Sequence, residues 1–233
     1  MNQPIVDARA GVTLVAGGPF GARDLAMATR RAPVVVAADG GADRALAFGA
    51  VPVAVIGDFD SVSDAARLRL AAVLHRIDEQ ETTDFDKALR SIRAPFVIAL
   101  GVLGGRLDHE LAALSTIAAQ TVMPVVALGR EDVVFAAPAR LTLSLKPGDR
   151  LSLYPLRPMQ GTSRGLDWPI DGLRLAPDGR LGTSNRVTSG PVSLSFDVAG
   201  MLVILPRARL DAALSALSPG WRRGDGRPDV RGG

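Results

Sequence analysis

The chain has 233 residues and no cysteine, which excludes a disulfide framework and a thiolate metal site. Aromatic residues make up only 4%, and none interleave with basic residues as a base-stacking surface requires. Histidine occurs only as His75 and His109, and no G-x-S-x-G elbow is present. Both facts argue against a Ser-His-Asp hydrolase. Lysine is as scarce: Lys87 and Lys146 are the only two, so arginine carries the basic charge. No stretch reaches the roughly 18 consecutive apolar residues of a membrane span. The segment from Met1 to Asp7 lacks the basic and long apolar regions of a secretory leader. Also missing is the G-x-x-x-x-G-K-[ST] phosphate loop, and Gly17-Gly18-Pro19-Phe20-Gly21 does not keep dinucleotide-binding spacing. A cytoplasmic, soluble protein that binds neither membrane nor nucleic acid is the expectation.

What is present supports a substantial core. Hydrophobic residues make up 47% of the chain and the mean hydropathy is +0.20, so the core is rich in Ala, Val and Leu. The formal net charge of +3 is no sign of nucleic-acid binding. Most of that excess sits in the last residues, where Arg222, Arg223, Arg227 and Arg231 face only Asp225 and Asp229.

Apolar runs alternate with amphipathic stretches in the first half. Strands are expected at 12–16, 34–38, 53–56, 96–100 and 125–128, with helices at 22–31, 42–48, 63–74, 84–93 and 107–120. Continuous Val/Ala/Ile runs suit strands buried on both faces, and the alternation implies βαβ units around a mostly parallel sheet. From about Gly129 short strands at 132–136, 140–145, 150–154, 192–198 and 202–205 are divided by Pro/Gly turns, followed by a helix at 208–217. The expected architecture is therefore an N-terminal mostly parallel, Rossmann-like α/β domain (1–128) and a C-terminal antiparallel β-sandwich (129–218). A disordered basic tail (219–233) completes it.

Three acidic clusters fall at strand-to-helix turns, where open α/β sheets bind ligands. In Gly57-Asp58-Phe59-Asp60-Ser61 the two carboxylates lie two residues apart, on one face of an extended strand end. Two like charges on one face call for a cation, and oxygen donors without His or Cys favour Mg²⁺. The alternative is that Asp60 or Ser61 caps the next helix. In Thr82-Thr83-Asp84-Phe85-Asp86, Thr83 and Asp86 have capping-box spacing, which leaves Asp84 free to reach a metal. Lys87 reads as an exposed helix lysine that could also offset phosphate charge. In Gly104-Gly105-Arg106-Leu107-Asp108-His109, glycine N–H groups and an arginine fork suit an anion, and Asp108 could complete the metal shell. An ordinary glycine turn with first-turn Asp and structural His109 is the alternative. Gly17-Gly18 and Asp39-Gly40-Gly41 occupy two further turns of the same kind.

Asp39-Gly40-Gly41, Gly57-Asp58-Phe59-Asp60-Ser61, Thr83-Asp84-Phe85-Asp86-Lys87 and Gly104-Gly105-Arg106-Leu107-Asp108-His109, in this order, resemble the motifs of the thiamine pyrophosphokinase family. The likeness extends to Thr183-Ser184-Asn185. It implies an α/β catalytic domain, a β-sandwich and a homodimer that moves diphosphate from ATP to thiamine, releasing AMP. Carried over by motif, Asp58, Asp60, Asp84 and Asp108 would hold Mg²⁺, with Arg106 beside them in catalysis. Gly17, Gly18, Asp39, Gly40, Gly41, Thr83, Gly104, Gly105, Arg106 and His109 would line the ATP site. Ser184 and Asn185 would contact thiamine, from the partner subunit. Some family members carry an aromatic residue just after that Ser-Asn pair, whereas Arg186-Val187 follow here. Trp168 is a candidate replacement, though a Trp in a small sandwich reads first as core. A pyrophosphokinase for another heteroaromatic alcohol, such as a hydroxymethylpterin, and a non-catalytic nucleotide or thiamine binder are the other readings.

Overall fold

Apolar runs too short for helices become strands, and the amphipathic stretches between them become the crossover helices. A computed structural model describes residues 3–222; the tail expected to be disordered lies, from residue 223 onward, outside the described residues. The chain forms two compact units that divide between Ala113 and Leu114. That point lies inside a helix, upstream of the boundary expected after Leu128.

The first unit contains β1 (Val6–Asp7), β2 (Val12–Val15), α1 (Ala22–Thr29), β3 (Val34–Ala38), α2 (Gly41–Ala47) and β4 (Ala54–Gly57). It continues through α3 (Asp64–Arg69), β5 (Leu74–Arg76), α4 (Asp84–Arg90), β6 (Ile92–Arg93) and β7 (Val97–Leu100) into α5 (Leu107–Ala119). Strands β7, β2, β3, β4 and β5 lie side by side in that order, all parallel. Val12, Leu14, Val15, Val36, Ile56 and Ile98 are fully buried, as expected for strands covered on both faces. The chain steps outward from β2 to β5, then returns to place β7 on the other side of β2. The loops after β2 and β7 therefore flank the reversal of strand order, where such sheets open a crevice.

Three differences from expectation have local causes. The helix expected over 63–74 ends at Arg69, and after a short 3₁₀ turn Leu74–Arg76 becomes edge strand β5. With one apolar residue in Leu-His-Arg, nothing in the pattern marks that strand. The helix expected to reach Arg93 stops at Arg90, because Ile92–Arg93 pairs with Val6–Asp7 as β6 on β1. Val125–Leu128 is a strand as expected, yet it runs antiparallel to the next one.

The second unit contains β8 (Val125–Leu128), β9 (Asp132–Ala136), β10 (Arg140–Leu143), β11 (Arg150–Pro155), β12 (Met159–Arg164) and β13 (Arg174–Leu175). β14 (Gly182–Arg186), β15 (Val192–Phe196), β16 (Met201–Pro206) and α6 (Leu210–Leu217) complete it. Within this unit β14, β11, β16, β9 and β8 lie side by side and antiparallel, while β10, β15, β12 and β13 form a four-stranded sheet. Leu141, Leu143 and Leu194 are buried between polar neighbours, the alternation of sheets wet on one side. Strands β12 and β14, Met-Gln-Gly-Thr-Ser-Arg and Gly-Thr-Ser-Asn-Arg, escaped expectation because they lack that alternation. Their pairing with β15 and β11 makes them strands.

A single ion pair fastens the entry of α6. Arg209 donates from Nε and Nη2 to the two carboxylate oxygens of Asp149, at 2.7 and 2.6 Å. The Lys146 N–H also donates to Asp149. Burial works to raise the Asp149 pKa, but Arg209 and that N–H together hold it below the ordinary value. The pair therefore stabilises the fold above the unfolded aspartate pKa of about 3.9 and loses its effect as pH falls through the lower folded value. Arg209→Leu is expected to cost about 2 kcal/mol at neutral pH, between exposed and fully buried pairs. Urea denaturation across a pH series should show the deficit disappear in acid.

Candidate active site

Five parallel strands end on one edge of the sheet, and each end carries one of the motifs. Gly17-Gly18 follows β2, Asp39-Gly40-Gly41 follows β3, Asp58–Ser61 follows β4, Thr82–Asp86 follows β5 and Gly104–His109 follows β7. At the reversal of strand order the Gly18 N–H donates to the Gly101 carbonyl at 2.9 Å. A Cβ on Gly18 would lie 2.3 Å from that oxygen, so Gly18 lets the β2 and β7 loops touch. Gly40 caps α2 and Gly41 is its buried first residue.

The centre is acidic. Asp39, Asp58 and Asp60 each offer a carboxylate oxygen, all within 4.8 Å of one another. Asp58 and Asp60 share a side as the sequence suggested, but on a turn rather than an extended strand. Phe59 has φ 69° and packs with Ala37, Val55, Val62 and Leu70. The Asp60 N–H donates to Asp58 Oδ1 at 3.2 Å. Asp39 is only 6% exposed; its Oδ2 accepts the Ser61 N–H at 3.2 Å, while its buried Oδ1 has no partner. Burial pushes the Asp39 carboxyl up, the Gly40 N–H opposes the rise, and the charges of Asp84 and Asp60 add to it. Asp58 lies below its ordinary value, chiefly through the Asp60 N–H, with help from Gln80 and Lys87 against desolvation.

Asp84 opens α4, which Thr83 caps by accepting the Asp86 N–H at 3.3 Å. The Asp86 carboxylate turns to Arg90. Lys87, expected at the surface, is 2% exposed: its Nζ lies 3.0 Å from Asp84 Oδ1 and 3.9 Å from Asp58 Oδ2. Gln80 Nε2 donates to Asp58 Oδ2 at 3.3 Å. A Cβ on Gly57 would sit 3.0 Å from Asp39 Cβ and 3.1 Å from Asp84 Oδ1, so the glycine leaves room for both acids. Neither Gln80 nor the burial of Lys87 had a sequence signal, since each depends on the β5–α4 connection turning toward β4.

The set is oxygen-only and carries a buried orphan acceptor. A hard divalent cation fits that combination, because it takes carboxylate oxygens and relieves the repulsion that adds to the effect of burial on Asp39. The loop after β7 is arranged differently. Arg106 and Asp108 are exposed and pair with each other, Nε to Oδ1 at 3.2 Å and Nη2 to Oδ2 at 2.6 Å. His109 is exposed, its N–H on Asp108, and the Gly104 N–H is taken by the Glu110 carboxylate at 2.8 Å; Gly105 is exposed nearby. Asp39, Asp58, Asp60 and Asp84 thus gather at the sheet edge, while Asp108 stands outside the three-acid group.

In the second unit Ser184 is exposed with φ 60°, and its N–H donates to Ser152 Oγ. Asn185 is buried, and its amide holds Trp168: Oδ1 accepts the Trp168 N–H at 3.2 Å and Nδ2 donates to the Trp168 carbonyl at 2.6 Å. Trp168 is not core. It is 59% exposed and rims an apolar cavity of about 200 Å³ with Pro169, Leu173 and Thr183. The Arg186 guanidinium, paired with Asp167, lies 5.9 Å from the Trp168 ring centre. Among the described residues, Asp39, Phe59 and Ser184 are the non-glycine residues with positive φ. All three lie in the motifs, as expected where backbone strain is kept for function.

Comparison with known proteins bears on both units. The family model described as the thiamin pyrophosphokinase catalytic domain matches residues 25–127, and the vitamin B1 binding domain of the same enzyme matches residues 140–201. The chain belongs to the thiamin pyrophosphokinase family. It is thereby an enzyme of the diphosphotransferase class. Thiamin pyrophosphokinase 1 of Caenorhabditis elegans is 28% identical over 179 residues, 68% of this chain and 73% of that one. Thiamine pyrophosphokinase of Bacillus subtilis is 36% identical over 108 residues, 43% of this chain and 50% of that protein. The crystal structure of the Candida albicans thiamin pyrophosphokinase superposes with a TM-score of 0.72 at 16% identity, covering 88% of this chain and 95% of that one. That last likeness shows the shared two-domain fold.

Asp39 tests the geometry of the acidic centre. Asp39→Asn is expected to raise the melting temperature of the ion-free protein, because it removes a buried, repelled charge. It should weaken Mg²⁺ binding by roughly tenfold or more. Thermal melts with and without Mg²⁺ read both effects, and an unchanged ion response would remove Asp39 from the site.

Proposed function

We propose that this protein transfers the diphosphoryl group of ATP to the hydroxyl of thiamine, giving thiamine diphosphate and AMP. The observation that carries this reading is the gathering of Asp39, Asp58 and Asp60 carboxylates within 4.8 Å of one another, with one buried Asp39 oxygen left unpartnered, in a chain whose second half matches a vitamin B1 binding domain. Asp58, Asp60 and Asp84 would hold Mg²⁺, with Asp39 joining them. When bound, the ion supplies charge neutralisation at the phosphate oxygens.

The chain's own residues orient the reactants and handle charge. In-line attack of the thiamine oxygen on the β-phosphorus, with AMP leaving, depends mainly on positioning and electrostatics. Arg106, on the surface and paired with Asp108, exchanges that carboxylate for phosphate oxygens, whose bidentate geometry suits its fork. Asp108 is then released to engage the metal or take the hydroxyl proton, a role the sheet-edge carboxylates share by proximity. Gly17, Gly18, Gly40, Gly41, Thr83, Gly104, Gly105 and His109 line the nucleotide side of this reading. Trp168 offers a ring face to the thiamine pyrimidine, Ser184 adds a polar contact, and Asn185 keeps the Trp168 backbone in place. A homodimer in which the sandwich of one subunit serves the partner's acidic edge belongs to the same reading. So does a cytoplasmic setting, where ATP and Mg²⁺ are at hand.

A pyrophosphokinase for a hydroxymethylpterin is the second reading. It is favoured only by Arg186, which stands where some family members carry an aromatic. A non-catalytic binder has little use for four acids at one edge. AMP release from ATP and Mg²⁺, measured with thiamine, with a hydroxymethylpterin and with no acceptor, separates the three. Thiamine-dependent release is expected; pterin-dependent release would support the second reading, and no AMP release under any of the three conditions would support the third. Asp58→Asn and Asp84→Asn should each lower turnover by about a thousandfold or more while the fold persists by circular dichroism. Near-normal kcat in both would overturn the assignment.

A further inference from the structure

Among the described residues Lys87 is the only buried cationic side chain. An ammonium is expensive to take out of water unless it is closely paired. Its stem lies on α4, which packs against β3 and β4, and its Nζ reaches only inward, to Asp84 Oδ1 at 3.0 Å and Asp58 Oδ2 at 3.9 Å. Lys87 thus meets the acidic centre through Asp84 and Asp58. Four carboxylates converge there, and divalent-ion affinity rises with the number of negative ligands in a site. Such a site, left uncompensated, repels itself without the ion and holds the ion tightly once bound. Either condition hinders an enzyme whose Mg²⁺ travels with a nucleotide that must arrive and depart.

We infer that Lys87 is a built-in counter-cation that positions Asp84 and Asp58 in the ion-free protein and moderates the affinity of the acidic centre for its divalent ion. This rests on the metal reading proposed above and adds a residue that does not touch the ion. One charge produces both effects: it offsets repulsion when the ion is absent and opposes the ion when it is present. A residue needed only for packing would produce neither.

The test measures Mg²⁺ binding without nucleotide, by thermal melting and by calorimetry, and does not depend on turnover. Lys87→Met keeps the length and apolar stem of the side chain and removes its charge. The variant should melt several degrees lower than wild type without Mg²⁺, yet bind Mg²⁺ about tenfold more tightly, as removal of a nearby like charge requires. Lower stability with unchanged or weaker Mg²⁺ affinity would overturn the inference. In Lys87→Met/Asp84→Asn the ammonium and its nearest anion go together, and the ion-free protein should recover much of the lost melting temperature. A double variant no more stable than Lys87→Met, including failure of both to fold, would also overturn it. Wild type that ignores Mg²⁺ would remove the metal reading and this inference with it. Wild type and Lys87→Met responding equally would remove the role of Lys87 alone.

Discussion

Repulsion among carboxylates gathered at one edge of a parallel sheet is the constraint around which the first unit is organised. Parallel strands all end on the same side, so every loop that follows them contributes to one rim. Here the turns after β3, β4 and β5 each bring an acid to it, and Asp39 does so in a buried position. A fold selected only for stability would avoid that, because an unpaired buried carboxylate opposes folding. The neighbouring details relieve the tension partly: Ser61 and Gly40 N–H groups on Asp39, Gln80 and the Asp60 N–H on Asp58, Lys87 on Asp84. One oxygen of Asp39 is left over, and that remainder gives the site its demand for a cation.

Much of this was legible in the sequence because it rests on local rules. The Val/Ala runs that became β2, β3, β4 and β7 needed only burial on both faces, and Thr83 needed only its capping spacing. The acids at 58, 60 and 84 were legible because their motifs sit where strands give way to helices. What was hidden depends on contacts between distant segments. Asp39 lies close to Asp58 and Asp60 only because β3 and β4 are neighbours in register. Lys87 is buried only because α4 packs on those strands, and a lone lysine in a helix carries no mark of that. Strand β5, with its single leucine, was invisible for the same reason: its pairing with β4 makes it a strand, not its own pattern.

The second unit shows how the residues of one short motif can be turned to different partners. Thr183-Ser184-Asn185 forms part of β14, and Thr183 and Asn185 line the cavity. Yet the Asn185 side chain is occupied, both amide ends engaged with the Trp168 backbone. The residue presented to solvent is the tryptophan, which by size alone would be assigned to the core. A buried polar side chain engaged at both amide ends contributes by holding something else still; here it holds the Trp168 backbone at a cavity rim. Composition cannot show which residues of a short motif meet a ligand and which keep those residues in place.

The two kinds of charged residue at the sheet edge differ in how freely they can move, and that difference orders their roles. Asp39 and the Asp58–Asp60 turn are fixed by backbone: positive φ at Asp39 and Phe59, and Phe59 anchored in an apolar cluster. Their carboxylates cannot leave without disturbing the sheet. Arg106 and Asp108 are mostly exposed and paired with each other, a pairing worth little in water and readily given up for a polyvalent anion. A rigid acidic group and an exchangeable arginine at the same sheet edge would suit the proposed phosphoryl transfer, because such a reaction needs one charge centre that does not move and another that can exchange partners. The acidic group is determined by strand order, whereas the exchangeable arginine has only to lie on the loop after β7, at the rim where the other motifs converge.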